Sequence, residues 1–305
     1  MNILEIKHLC KNFGNHSVIR GLDLSVPEHS VFGFVGQNGA GKTTTMKMIL
    51  GLLKPDSGDI VVHGEKVSYG ERKSNVSIGY LPDVPEFYGY MNPMEYLKLC
   101  GEIAGISNSK IKNRSEELIS LVGLEKVNRR ISGFSRGMKQ RLGIAQALFN
   151  EPSLLICDEP TSALDPIGRK EILDILSAIK GKTTVIFSTH ILSDVERICD
   201  HVALLHDGKL ALCGTLSDIK KKHRHNGFVI EFAKADDAES FMDCEELKSP
   251  EITAKKDKNT ITIKVLDIKK DGQFLIALLA KKKITPIKFE IMEPTLENLF
   301  MEAIQ

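Results

Sequence analysis

Residues 36–44 read Gly36-Gln37-Asn38-Gly39-Ala40-Gly41-Lys42-Thr43-Thr44. They follow the apolar run Val31-Phe32-Gly33-Phe34-Val35, which predicts a strand buried on both faces, as in parallel sheets. After them, Met46, Ile49, Leu50, Leu52 and Leu53 suit one face of a helix that Gly51 interrupts near its end and Pro55 stops. A glycine cluster between a buried strand and a helix start is a phosphate cradle. Glycines let successive backbone N–H groups converge on an anion that a Cβ would exclude, and the helix N-terminus adds positive potential. In that setting Gly36 through Thr44 surround a nucleotide's phosphates, Lys42 reaches the β- and γ-phosphates as a point charge, and the Thr43 hydroxyl meets magnesium. The plain alternative is a flexible strand-to-helix turn.

A second buried strand, Ser153-Leu154-Leu155-Ile156-Cys157, ends in Asp158-Glu159-Pro160. An acid at a neighbouring strand end holds magnesium in enzymes with such a loop, which gives Asp158 that role. Glu159 is one residue nearer the γ-phosphate, a fitting place for a general base that polarises water. Two solvated acids before a proline turn are the bland reading. A further strand, Thr184-Val185-Ile186-Phe187, follows after a helical stretch, and this strand, helix, strand spacing marks a parallel crossover.

The chain has 305 residues, which predicts two domains. Residues 1–30 alternate apolar and polar positions and read as short antiparallel strands, whereas residues 84–150 are mostly helical and read as a subdomain inserted into the sheet. The basic segment 220–227 marks a boundary, either as a solvated helix end or as a phospholipid-binding patch. Beyond it, strands near 228–232, 260–265 and 286–290 alternate with helices near 236–243, 268–283 and 294–303. The predicted domains are therefore 1–222 and a small α+β domain at 223–305. The six cysteines show no zinc or disulfide spacing, and a net charge of +1 supplies no field for nucleic acid, so none is expected as a partner. No apolar run is long enough to cross a bilayer, and Met1–Cys10 lacks the pattern of a secretory signal, which predicts a cytosolic chain.

Between loop and acids lies Phe134-Ser135-Arg136-Gly137-Met138-Lys139-Gln140-Arg141-Leu142. It resembles the signature motif of ABC ATPases, usually LSGGQ, keeping Ser135 and Gly137 while Arg136 and Met138 depart from it. Ser162-Ala163-Leu164-Asp165 looks like the family's D-loop, and Ser188-Thr189-His190 like its switch histidine, which contacts the γ-phosphate and positions water. Phe13 sits where the family puts an adenine-stacking aromatic, although an aromatic there is also a common core residue. At Ile78-Gly79-Tyr80-Leu81-Pro82-Asp83 the family's usual glutamine is replaced by Asp83, a candidate for the metal only.

The resemblance spans about residues 1–220. It implies an α/β P-loop NTPase fold: a RecA-like core with an antiparallel β subdomain and an inserted α-helical subdomain. The remainder looks like the accessory C-terminal domain of bacterial drug and bacteriocin exporter ATPases, with Leu296, Leu299 and Phe300 as core or dimer contacts. It further implies ATP and Mg2+ as ligands, with Glu159 and His190 catalytic. Head-to-tail pairing with a second copy or a related ATPase would place each ATP between one loop and the opposing Ser135 and Gly137. Integral membrane permease subunits would be gripped near Tyr80, Pro85 and Tyr88, at the cytoplasmic face of the membrane. A soluble ABC ATPase working mechanically on a macromolecule is the alternative.

Overall fold

The computed structural model describes residues 1–71, 74–127, 129–222, 227–248, 252–292 and 296–303. Residues 223–226, where the expected domain boundary and half of the basic segment fall, lie outside the described residues, as do 294 and 295 of the expected last helix. The chain divides into two compact units, Met1–Ser217 and Asp218–Glu302.

The first unit opens with β1 (Asn2–Phe13) and β2 (His16–Pro27), paired antiparallel through a tight turn in which Gly14 takes a φ of 58°. Short strands are expected here, yet each runs 12 residues. Register shifts such as those between Ile6 and Leu9 and between Lys11 and Asn12 absorb irregularities in the pattern without ending the ladder. Next, β3 (Val31–Val35) is buried at every position, as its apolar run predicts, and leads through the glycine loop into α1 (Lys42–Ile49). The helix stops before the apolar pattern does. Gly51 adopts a left-handed φ of 64° and closes the helix end, so that Leu52 turns outward. Strands β4 (Ser57–Val62) and β5 (Glu65–Lys66) complete the sheet β2-β1-β4-β5.

Strand β6 (Ile78–Leu81) precedes the helical part, α2 (Pro93–Ile103), α3 (Asn108–Leu121) and α4 (Arg136–Ala147). Asn92 and Glu95 form a capping box at the start of α2, with Pro93 in its first turn. Then come β7 (Leu154–Cys157), α5 (Pro166–Ala178), β8 (Thr184–Thr189), α6 (Leu192–Ile198), β9 (His201–His206) and β10 (Lys209–Thr215). The large sheet has the order β10-β9-β3-β8-β7-β6, parallel except for the β9–β10 hairpin. One consequence governs the site. Because β3, β8 and β7 are adjacent and parallel, the loops that leave their C-terminal ends share one edge.

After α7 (Leu216–Lys222), the second unit runs β11 (Gly227–Glu231), α8 (Ala235–Met242), β12 (Thr253–Asp257), β13 (Thr260–Lys264), α9 (Ile268–Lys281), β14 (Lys288–Ile291) and α10 (Leu296–Ala303). Its antiparallel sheet, ordered β12-β13-β11-β14, makes a split β-α-β arrangement. Phe228, Ile230, Phe232, Phe241 and Leu275 fill its core. Strand β12, Thr-Ala-Lys-Lys-Asp, is not anticipated by the sequence because an edge strand guarded by lysines carries little apolar signal.

Candidate functional site

The glycine loop holds its shape through backbone geometry that side chains would spoil. Gly39 takes a φ of 86° with open space beside it, and Gly41 a φ of 106° with Ile19 Cδ1 only 2.5 Å from where a Cβ would stand. Helix α1 therefore begins with no side-chain cap and no acid in its first turn. Its leading N–H groups are left to an outside anion, beside exposed Gln37, Asn38 and Thr43. Ala40 and Thr44 are half-buried, and Thr45 turns inward to donate to the Gly41 carbonyl at 2.9 Å.

Lys42 does not point into solvent. Its ammonium, 6% exposed, donates to the carbonyls of Gly36 (2.7 Å) and Gln37 (3.2 Å) and lies 3.1 Å from Glu159 Oε1. A charge this buried persists only when paired and hydrogen-bonded. Glu159 Oε1 sits close enough for an ion pair but off the line of a hydrogen bond, and among the described residues it has no hydrogen-bond partner. The other oxygen, Oε2, is 2.9 Å from His190 Nδ1. Loop lysine, strand-end acid and strand-end histidine thus meet at the edge shared by β3, β7 and β8. Glu159 holds a φ of 47°, an uncommon conformation for a residue with a side chain, of the kind that gathers at functional sites.

Asp158, 3% exposed, accepts from the Ser188 hydroxyl at 2.6 Å, and Ser188 Oγ in turn accepts from Glu159 N at 2.9 Å. Among the described residues no cation pairs with Asp158. Burial, Asp158, Cys157 and Asp83 together push the Tyr80 phenol up to about 12, which marks the negative field at this strand end. Beneath the acids, buried Asp194 accepts from Thr161 Oγ1 (2.8 Å) and from Arg169 (2.6 Å), tying the turn after Glu159 to α6.

The remaining predicted residues lie apart from this cluster. Ser135 caps α4, accepting from Met138 N at 3.3 Å, and is exposed; Gly137 follows in the first turn. No hydrogen bond or ion pair among the described residues links either to Lys42, Glu159 or His190. Asp83, the other metal candidate, is engaged elsewhere: its carboxylate accepts from Arg136 at 3.0 Å, and buried Gln140 donates to its carbonyl. Two of the three departures from the family pattern, Asp83 and Arg136, thus pair with each other. Phe13 ends β1 with its ring 51% exposed, so it is not a core residue.

A family described as ABC transporter matches residues 19–162, and one described as ATP-binding protein DrrA1-3-like, C-terminal domain, matches residues 214–304. The chain is 36% identical to the Bacillus subtilis ABC transporter ATP-binding protein YxlF, over 99% of both chains. The chain belongs to the ABC transporter ATP-binding family. Its similarity extends to the bacitracin transport ATP-binding protein BcrA of Bacillus licheniformis, 40% identical over 73% of this chain and 72% of that one. A solved structure described as the ATP binding subunit of an ABC transporter superimposes with a TM-score of 0.65 at 33% identity, covering 72% of this chain and 92% of the other.

This ABC ATPase therefore binds ATP and couples its hydrolysis to transport. Its site also contains residues that sequence reasoning missed. Ser188 holds Asp158 and the Glu159 backbone from below, and its signal was a hydroxyl inside a strand buried at every position; Asp194, which holds the following turn through Thr161, lies in a polar helix that carried no such signal. Among the described residues no helix is long and apolar enough to cross a membrane.

Proposed function

We propose that this ABC ATPase drives export through separate membrane-spanning subunits, holding nucleotide on residues 36–44 and hydrolysing it at Glu159. The observation that carries the reading is the meeting of Lys42, Glu159 and His190 at the ends of three neighbouring strands. Backbone N–H groups within residues 37–44 bind the phosphates, the Gly36 N–H being donated to the Thr189 carbonyl, and Lys42 exchanges its contact with Glu159 for the β- and γ-phosphate oxygens. Glu159, so released, accepts a proton from the attacking water. The neighbouring His190 Nδ1 orients that carboxylate and leaves Nε2 for the γ-phosphate or the water.

The residues fit a magnesium ion: a buried carboxylate at Asp158 without a cationic partner, an exposed hydroxyl at Thr43, and hard oxygen donors throughout. Bound there, the metal would neutralise charge on the phosphate oxygens. Asp83, committed to Arg136, is not in this set.

Exposed Ser135 and the start of α4 suit a nucleotide brought by an opposing subunit, in a homodimer or in a heterodimer with a related ATPase. Of the residues expected to meet a permease, Pro85 is buried and Tyr80 half-buried, while Tyr88 is exposed and, with exposed Val84 and Tyr90 in the same loop, suits a permease subunit at the cytoplasmic face of the membrane. Similarity to a bacitracin transport protein supports export as the direction.

The test is turnover by the purified chain. Glu159→Gln is expected to abolish phosphate release while an ATP-bound dimer accumulates in gel filtration; equal turnover would remove Glu159 as the base. Mixing Lys42→Ala with Ser135→Arg chains should regenerate activity at one composite site, and no recovery at any ratio would argue against shared sites.

A further inference from the structure

Phe13 stands at the tip of a long hairpin, a place where a side chain is ordinarily free to swing. Here it is not free. The ammonium of Lys11 lies 5.3 Å from its ring centroid, a cation over an aromatic face. Lys11 is itself only 12% exposed, and it donates to Asp56 Oδ1 at 2.8 Å. The second oxygen of Asp56 accepts from the backbone N of Asn12 (2.6 Å) and from its side-chain amide (3.1 Å), while Asp56 N donates to the Cys10 carbonyl at 3.0 Å. These bonds, led by the one from Lys11, hold the Asp56 carboxyl below its ordinary value. Asp56 therefore grips all three residues that lead into the ring, Lys11 and Asn12 through its carboxylate and Cys10 through its backbone N–H, and it does so from the turn that follows the phosphate-loop helix.

The hairpin also reaches the phosphate loop. Val18 O lies 3.2 Å from where a Cβ of Gly41 would be, and Phe13 pairs with His16, two positions before Val18. Two strand residues and one strand spacing put the backbone of Phe13 on the order of 8 Å from that of Val18, which touches the loop. A sugar bridges such a gap between a base and its phosphates.

We propose that Lys11 and Asp56 are positioning residues for nucleotide binding: Asp56 anchors Lys11, and Lys11 holds one face of the Phe13 ring so that the other is presented to the purine base. The inference rests on Phe13 as the base platform. Electrostatic attraction between an ammonium and a ring lets Lys11 fix the ring without occupying its open face, and the ring's half exposure leaves that face available.

The experiment compares two ligands on the full-length chain by calorimetry with magnesium present: a non-hydrolysable ATP analogue, and inorganic tripolyphosphate, which has no base. Lys11→Met and Asp56→Asn are each expected to weaken the analogue by about three- to tenfold, the scale of one desolvated cation–ring contact, and to leave tripolyphosphate unchanged. Lys11→Arg, which keeps the cation, should bind like the parent. Adding Lys11→Met to Phe13→Ala should cost nothing beyond Phe13→Ala alone, because the lysine acts through the ring. If Phe13→Ala weakens the analogue while Lys11→Met and Asp56→Asn match the parent, the positioning role is overturned and the platform stands. If Phe13→Ala itself matches the parent, the platform is lost and the positioning role with it. Equal weakening of both ligands by Lys11→Met or Asp56→Asn would make the cluster a support of the loop's fold, which also overturns the proposal.

Discussion

The two units of this chain treat charge in opposite ways. Among the described residues every buried polar or charged side chain belongs to the first unit, Lys42, Gln140, Asp158 and Asp194 included, and the buried side chains of the second are apolar. Burying a charge costs several kcal/mol before any partner repays it, about the whole margin by which a domain is stable. Lys42 and Asp158 belong to the candidate site and Gln140 and Asp194 brace the segments around it, whereas the core of the second unit is built from apolar side chains.

The largest effect that would break this contrast concerns Lys42. Lys42→Met should lower ATP hydrolysis by about three orders of magnitude, since it removes the cation aimed at the transferring group and leaves Glu159 Oε1 without its ion-pair partner. Phosphate release under saturating ATP checks it. Phe241→Ala should destabilise the second unit by about 3–5 kcal/mol, the cost of emptying an aromatic's space in a closed core. Hydrogen exchange should show the loss in residues 227–292 with turnover per folded molecule unchanged; a comparable fall in activity would mean that the second unit does take part in catalysis.

Ser188→Ala removes the hydroxyl between Asp158 and Glu159 N, leaving a buried acid short of a donor, and should cost about 1–3 kcal/mol with a fall in kcat. Thermal unfolding together with steady-state kinetics would sharpen the claim that site and core share these groups. Asp83→Asn should change stability by at most about 1 kcal/mol, because its pair with Arg136 is solvent-exposed on both sides. The smallest effect is one of pH. The folded Asp56 carboxyl titrates below its unfolded value of 3.8, so its contribution is fully present above that pH and disappears only as pH falls through the lower, folded value. Carbon-detected NMR titration of Asp56 should show no change between pH 7 and 5.

Much of the site was legible because its parts are local. Residues 36–44 carry their own geometry in glycine spacing, and Asp158, Glu159 and His190 each end a run of apolar residues. Illegible were the residues that act across elements. Nothing in the neighbourhood of Ser188 says that its hydroxyl joins the Asp158 carboxylate and the Glu159 backbone N, 30 and 29 positions away. Asp83 and Arg136, read separately as departures from a pattern, become partners only when β6 and α4 are laid side by side.

By itself the sequence determined the strands that must be buried on both faces, the loop that must be bare of side chains, and the acids that end a strand. Apolar periodicity and backbone freedom are properties of consecutive residues, and they need no distant partner to be expressed. Tertiary structure alone decided that Lys42 would rest on Glu159, that Asp56 would hold Lys11 against Phe13, and that Asp83 would meet Arg136. Those pairings depend on distances across the fold, and electrostatic energy is set by distance and burial, neither of which is written in the order of the residues.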